Sequence, residues 1–170
     1  MRRLELIDLF AKYLGSVEEL HKIAEIHPET QCVLRLAVDD SDASFAFSEK
    51  FGADLRDVAM LLREARALGL NVMGVSFHVG SDNDGNDAHG NGVAQAYEAF
   101  QIGRDMGFDI NLIDLGGGWP GHEESDCLFQ EMAENVKREI KKFPDHVKFV
   151  AEPVMLASTL KSKHTFDYYF

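Results

Sequence analysis

Apolar positions along the chain alternate between two rhythms. Val17, Leu20, Ile23 and Ala24 recur at helical spacing up to about His27, and Pro28 predicts the stop. Ser16 stands in front of that helix as an N-cap with Glu19 three residues on, the pattern of a capping box. Gln31 to Val38 (QCVLRLAV) is a β-rich run and predicts a strand, closed by the loop Asp39–Asp42. Helical spacing returns at Val58, Leu61, Leu62, Ala65 and Leu68, between Asp54 as a cap and Gly69 as a terminator. Asn71 to Val79 predicts a second strand and Gly80 to Gly92 a polar, glycine-rich loop. A helix follows from about Val93 to Met106, with Gly107 as its C-cap. Ile110 to Leu115 predicts a third strand, a helix runs from Ser125 or Asp126 to about Lys142, and Val147 to Ala151 predicts a fourth strand. Leu4 to Leu14 is apolar with scattered charges and is expected as a short helix. The stretch from Val154 to Phe170 has weak periodicity and ends in an aromatic cluster.

The predicted strands are centred near Leu34, Val75, Ile113 and Phe149, roughly 40 residues apart, each joined to the next by one helix. That is a βα repeat with parallel strands. The strands read as continuous apolar runs, as expected when both faces are covered. Either an open doubly wound sheet or a (β/α) barrel fits. A full barrel needs about 250 residues and eight units. The 170 residues here hold about four, so the barrel reading means a partial barrel.

Composition narrows the function classes. The formal net charge is −12 and the pI near 4.9, which argues against a nucleic-acid binder or a partner of anionic membranes. No apolar stretch approaches the ~20 residues of a membrane span, and Met1-Arg2-Arg3 is soon followed by Glu5 and Asp8, so no signal peptide is expected and the cytosol is the default compartment. Cys32 and Cys127 are far apart and in no CxxC pattern. They are expected reduced and half-buried.

Polar residues gather where the predicted strands end. Arg35 and Asp39 follow the first, His78 and Ser81 the second, Asp114 and a glycine triplet the third, and Glu152 the fourth. In both parallel architectures the ligand site lies at that edge. Gly116, Gly117 and Gly118 come directly after a buried run. A glycine loop there exposes backbone N–H groups with no Cβ in the way and suits an anion, most often a phosphate. Gly116, Gly118 and Gly121 satisfy GxGxxG, but Trp119-Pro120 lies where a dinucleotide site needs its helix to begin, and no acidic strand end follows ~20 residues on. Asp82, Asp84 and Asn86 mimic the start of a calcium loop, yet Asp87 and Val93 occupy the positions of its glycine and final glutamate. His89 and His122 lack ligand-spaced partners, so no metal site is expected. No GxSxG elbow is present.

The segments VLRLAVDD (Val33–Asp40), SEKFGAD (Ser48–Asp54), GVSFHVGS (Gly74–Ser81), LIDLGGGWPG (Leu112–Gly121) and VAEP (Val150–Pro153) resemble eukaryotic ornithine decarboxylase in order and spacing. That group includes antizyme inhibitors and the diaminopimelate and arginine decarboxylases of the same barrel type. The resemblance runs from about Val17 to Pro153 and leaves 154–170 as a divergent tail of one partial-barrel domain. It implies part of an alanine-racemase-like (β/α)8 barrel that binds pyridoxal phosphate, without the β domain that normally follows. By resemblance, Gly116, Gly117, Gly118 and Ser81 hold the cofactor phosphate. Glu152 faces the pyridine nitrogen, which strengthens the ring as an electron sink. His78 stacks on the ring, Arg35 lies at the cofactor's edge, Asp114 orients the site from behind, and Lys50 reaches a partner subunit.

Departures from the family pattern bear on activity. The lysine that forms the Schiff base in the family lies in a motif like YAVKCN, and no such motif occurs in this chain. After AEP the family continues with glycine and a phosphate-gripping arginine, where this chain has Val154-Met155-Leu156. The resemblance therefore implies an ornithine-decarboxylase-like protein of putrescine synthesis that is inactive alone and binds pyridoxal phosphate weakly at best. It would pair with itself or with a full-length homologue as a dimer. The alternatives are a non-catalytic regulator that binds antizyme through the helix near Ser16–His27, or a degenerate fragment.

Overall fold

The computed structural model describes residues 11–85, 87–120 and 126–152. Strand β1 (Lys12–Leu14) leads to helix α1 (Val17–Ile26), strand β2 (Gln31–Arg35) and the short strand β3 (Ala43–Phe45). A 3-10 turn at Leu55–Asp57 opens helix α2 (Val58–Ala67). Strands β4 (Asn71–Ser76) and β5 (Ser81–Asn83), helix α3 (Ala88–Asp105), strand β6 (Leu112–Asp114), helix α4 (Asp126–Ile140) and strand β7 (Lys148–Val150) complete the order. Five strands form one parallel sheet in the order β1-β2-β4-β6-β7, and β3 and β5 pair antiparallel beside it.

The sheet curls. Tyr13 on β1 donates a 2.7 Å hydrogen bond to Asp114 on β6, although β2 and β4 lie between them. Strands three places apart in a flat sheet stand about 14 Å apart, a gap that two side chains rising off one face would not close. The face carrying Tyr13 and Asp114 is therefore the concave one, as in a barrel arc. Register sets its uppermost row: Arg35, Ser76, Asp114 and Val150 are successive cross-strand partners, and partners in register point to one side. Phe77, one residue past Ser76, turns the other way, toward α3. The convex side is covered by helices: the apolar stripe Val58, Leu61, Leu62 and Ala65 of α2 is buried in the core over β4, and Met132, Ala133 and Val136 of α4 are buried, with α4 packed on α3.

The four predicted strands form β2, β4, β6 and β7, and the alternating βα order holds. Some expectations need correction. Lys12–Leu14 is a strand rather than the end of a helix; it pairs with Cys32–Leu34. Three strand residues are too few for periodicity to declare. The expected helix over Leu4–Phe10 lies outside the described residues, as does the tail 154–170. The first predicted strand stays bonded to β4 through Leu36 N–H, which donates to the Ser76 carbonyl, and then turns away, Ala37 N–H donating to the carbonyl of Ala53. The loop expected over Gly80–Gly92 instead contains β5 and the first turn of α3. Gly90 and Gly92 are poor helix formers, but packing overrides the propensity: a Cβ on Gly92 would stand 2.4 Å from the Phe77 ring, and one on Gly90 3.1 Å from Asn135. Cys32 is fully buried, which pushes its thiol up to about 11, and Cys127 is exposed, so neither is half-buried. Among the described residues no helix is long and apolar enough to cross a membrane.

Candidate functional site

The carboxyl ends of β2, β4, β6 and β7 bring the predicted residues together around the glycine loop. Gly116 and Gly118 both have positive φ, 61° and 93°, a region that L side chains avoid. Gly117 lies against His78: a Cβ there would stand 2.7 Å from His78 Nε2. Gly118 in turn abuts the carbonyl of Gly80, the residue before Ser81. The triplet is thus folded tightly onto the segment after β4, with each Cβ position already filled by the protein.

Hydrogen bonds fix the loop from behind. Asp114 Oδ1 accepts from Gly116 N–H at 3.0 Å while its Oδ2 accepts from Tyr13. The carbonyl of Gly116 accepts from Glu152 N–H and from the indole of Trp119, both at 2.9 Å. The Gly117 carbonyl lies 3.2 Å from His89 Nε2. Among the described residues the N–H groups of Gly117 and Gly118 have no acceptor. Two adjacent free amides in a glycine loop form the concavity in which an anion is bound.

Electrostatics around the loop follow from burial. Asp114 is 3% exposed. Burial raises its carboxyl above the usual range, against the hydrogen bonds from Tyr13 and Gly116 and the nearby charge of Arg35. Glu152 is likewise raised, by desolvation and by Asp114, with Arg35 opposing. Burial and the Arg35 charge lower His78, against Asp40. His78 Nδ1 accepts from Gly80 N–H at 3.1 Å, so the neutral ring carries its proton on Nε2, the nitrogen facing Gly117. Arg35 also lies over the Phe51 ring at 5.4 Å. Its cation acts on Tyr13, His78, Asp114 and Glu152.

Arg35, His78, Asp114, the glycines and Glu152 share this edge, with Ser81 one residue beyond Gly80. Lys50 stands apart on an exposed turn, its N–H bonded to the Phe47 carbonyl. Sequence reasoning missed three residues. Tyr13 was hidden in a stretch expected to be helical. His89 has no ligand-spaced partner in the sequence, yet it is wholly buried and stacked on Trp119 at 3.7 Å between ring centroids. Asp40 belongs to a predicted loop, but it is buried and accepts from the N–H groups of Phe47 and Ser48 and from the Ser48 hydroxyl. Burial pushes its carboxyl up, and those bonds more than offset the push, so it titrates below the usual range.

A curved parallel α/β sheet that gathers a glycine loop, a histidine and two carboxylates at its strand ends has the architecture of a partial (β/α) barrel, in which ligand sites lie at that edge. The chain belongs to the pyridoxal-dependent decarboxylase family: residues 8–156 match that family's pyridoxal-binding domain, and pyridoxal phosphate is the cofactor of that domain. The match extends the resemblance at both ends, to include β1. The chain is 41% identical over 138 residues to ornithine decarboxylase of Rattus norvegicus, covering 79% of this chain and 30% of that protein. It is 39% identical over 138 residues to antizyme inhibitor 2 of Xenopus laevis, with the same coverage. The arginine decarboxylase of Paramecium bursaria Chlorella virus superposes with a TM-score of 0.79 at 32% identity, over 86% of this chain and 40% of that one. The chain thus spans less than a third of the curated relatives it matches.

Proposed function

We propose that this chain supplies the cofactor cradle of an ornithine-decarboxylase-like barrel. The observation that carries the reading is the glycine loop. Its Cβ positions are closed off by His78, Phe77 and Gly80, and the amides of Gly117 and Gly118 have no acceptor among the described residues. The amides of Gly117 and Gly118, with the Ser81 hydroxyl, would hold the phosphate of pyridoxal phosphate. His78 would lie against the ring, Glu152 would hold a proton at the pyridine nitrogen, and Arg35 would approach the ring's edge. Asp114 acts from behind by anchoring Gly116. Once bound, pyridoxal phosphate supplies the electron sink for a decarboxylation. The raised carboxyl of Glu152 retains a proton more readily than an exposed glutamate, which suits a hydrogen bond to a ring nitrogen. Ornithine is the substrate class this reading favours.

The family's Schiff-base lysine has no counterpart in the matched residues, so the chain by itself binds the cofactor weakly and without turnover. Titration of the full chain with pyridoxal phosphate, followed by the fluorescence of the single tryptophan, tests this. Wild type is expected to bind and Gly117→Ala to lose binding. Release of carbon dioxide from ornithine by the purified chain would refute the inactivity. A second reading, a regulator that captures antizyme, is favoured by the likeness to antizyme inhibitor 2 and by Ile26, 73% exposed at the end of α1. Retention of antizyme by wild type but not by Ile26→Asp would support it.

A further inference from the structure

We propose that Trp119 and His89 form a clamp that aims the anion-binding amides of the glycine loop. The inference rests on the cofactor reading above and names positioning residues within it.

The two rings are stacked, 25° from parallel, and both are buried. Each presents a ring nitrogen to one carbonyl of the loop: Trp119 Nε1 to Gly116 and His89 Nε2 to Gly117. A carbonyl only accepts, so His89 Nε2 must carry a hydrogen. Burial holds the imidazole neutral, down to about 3, which leaves Nδ1 bare, and Nδ1 has no partner among the described residues. His89 therefore spends its one donor on the loop. In a trans peptide the carbonyl and the following N–H point in opposite directions. Pulling the carbonyls of Gly116 and Gly117 toward the buried rings therefore turns the N–H groups of Gly117 and Gly118 away from them. Those are the two amides with no acceptor in the described structure. The Gly116 carbonyl is also held by Glu152 N–H, so Trp119 shares the fixing of that plane, whereas His89 alone holds the Gly117 carbonyl among the described residues. With no side chain to fix the peptide plane, the Gly117–Gly118 plane is free to flip without His89 and point a carbonyl at the anion.

Tests use the full chain with pyridoxal phosphate, pyridoxal without the phosphate, and inorganic phosphate. His89→Phe keeps the ring stack and deletes the donor; Trp119→Phe deletes the other. His89→Phe is expected to weaken pyridoxal phosphate and inorganic phosphate about tenfold, the worth of one modest hydrogen bond. Trp119→Phe is expected to weaken them less, because Glu152 N–H still holds the Gly116 carbonyl, and both to leave pyridoxal unchanged. His89→Gln, which restores an N–H, is expected to recover part of the loss. Amide resonances of Gly117 and Gly118 should shift on adding phosphate in wild type and less in His89→Phe. Equal weakening of pyridoxal and its phosphate, or full phosphate affinity in both Phe variants, overturns the clamp. Should a variant fail to fold, nitrogen NMR of wild-type His89 decides alone: a hydrogen on Nε2 supports the clamp and one on Nδ1 overturns it. Wild type that binds neither phosphate ligand overturns the cofactor reading, and the clamp's role with it. Binding that is intact in wild type and in both Phe variants overturns the clamp alone.

Discussion

Acidification from pH 7 to pH 5 should cost this fold stability through His89, and removing the imidazole should abolish that cost. In an unfolded chain histidine titrates near 6.5. In the fold His89 is wholly buried and neutral, and desolvation, with a small contribution from His78, depresses it to about 3 despite the Gly117 carbonyl. Between those two values the unfolded state binds a proton that the native state refuses. Stability therefore falls as pH falls, by about 1.4 kcal/mol per pH unit once below 6.5. Integrated from pH 7 to pH 5, His89 alone contributes a loss of about 2 kcal/mol. Other groups act in the same window. His78 is also lowered and adds to the loss. Asp114 and Glu152 are raised and act oppositely, gaining as pH falls toward their folded values. Asp40 is lowered and acts only below about pH 4. Comparison of wild type with His89→Phe cancels these contributions. Urea unfolding of both proteins at pH 7, 6 and 5, extrapolated to water, should show wild type losing about 2 kcal/mol more than the variant over that range. Parallel pH profiles would refute the reasoning, because they would mean that native His89 takes up its proton as freely as the unfolded chain.

Tyr13→Phe deletes a hydrogen bond to a buried carboxylate and should cost about 1.5–3 kcal/mol at neutral pH; it should also raise Asp114 further in a carbon-NMR titration, because that bond holds the carboxyl down. Gly92→Ala gains about 1 kcal/mol of helix propensity but drives a methyl to within 2.4 Å of the Phe77 ring, an overpacking worth about 1–3 kcal/mol, so urea unfolding should show net destabilisation. Ser16→Ala removes the bond to Glu19 N–H at the start of α1 and should lower stability by about 1 kcal/mol, read as a shift in melting temperature.

How far the sequence foretold this site depends on what each residue does. The βα order was legible because each strand and helix repeats its own period over several residues. The glycine triplet was legible because glycines add nothing to a packed strand end, so three in a row mark a place where backbone is brought close to something. Arg35, His78, Asp114 and Glu152 were legible because charge at a buried strand end has no packing purpose. Tyr13 was not legible: its strand is three residues long, and its partner lies 101 positions away. Asp40 looked like one of several loop acids until the fold buried it and turned backbone donors toward it. His89 looked like an isolated polar residue in a loop, because Gly90 and Gly92 disguise the helix it belongs to.

That disguise and the site have one physical origin. Gly92 is bare because Phe77 fills the space where its side chain would be. The Phe77 ring meets His89 edge-on at 6.4 Å between centroids, and its carbonyl lies where a Cβ on Gly116 would stand, 2.1 Å away. His89 stacks on Trp119, and Trp119 packs on Phe129 of α4 at 5.9 Å. One continuous column of rings thus runs from helix α4 through the first turn of α3 to both carbonyls of the glycine loop. A loop of three glycines would by itself be among the softest parts of the chain. Here its stiffness is imposed from the convex side of the sheet, so substitutions in the helices at Gly92 or Phe129 are expected to reach phosphate affinity although neither residue touches the concave face.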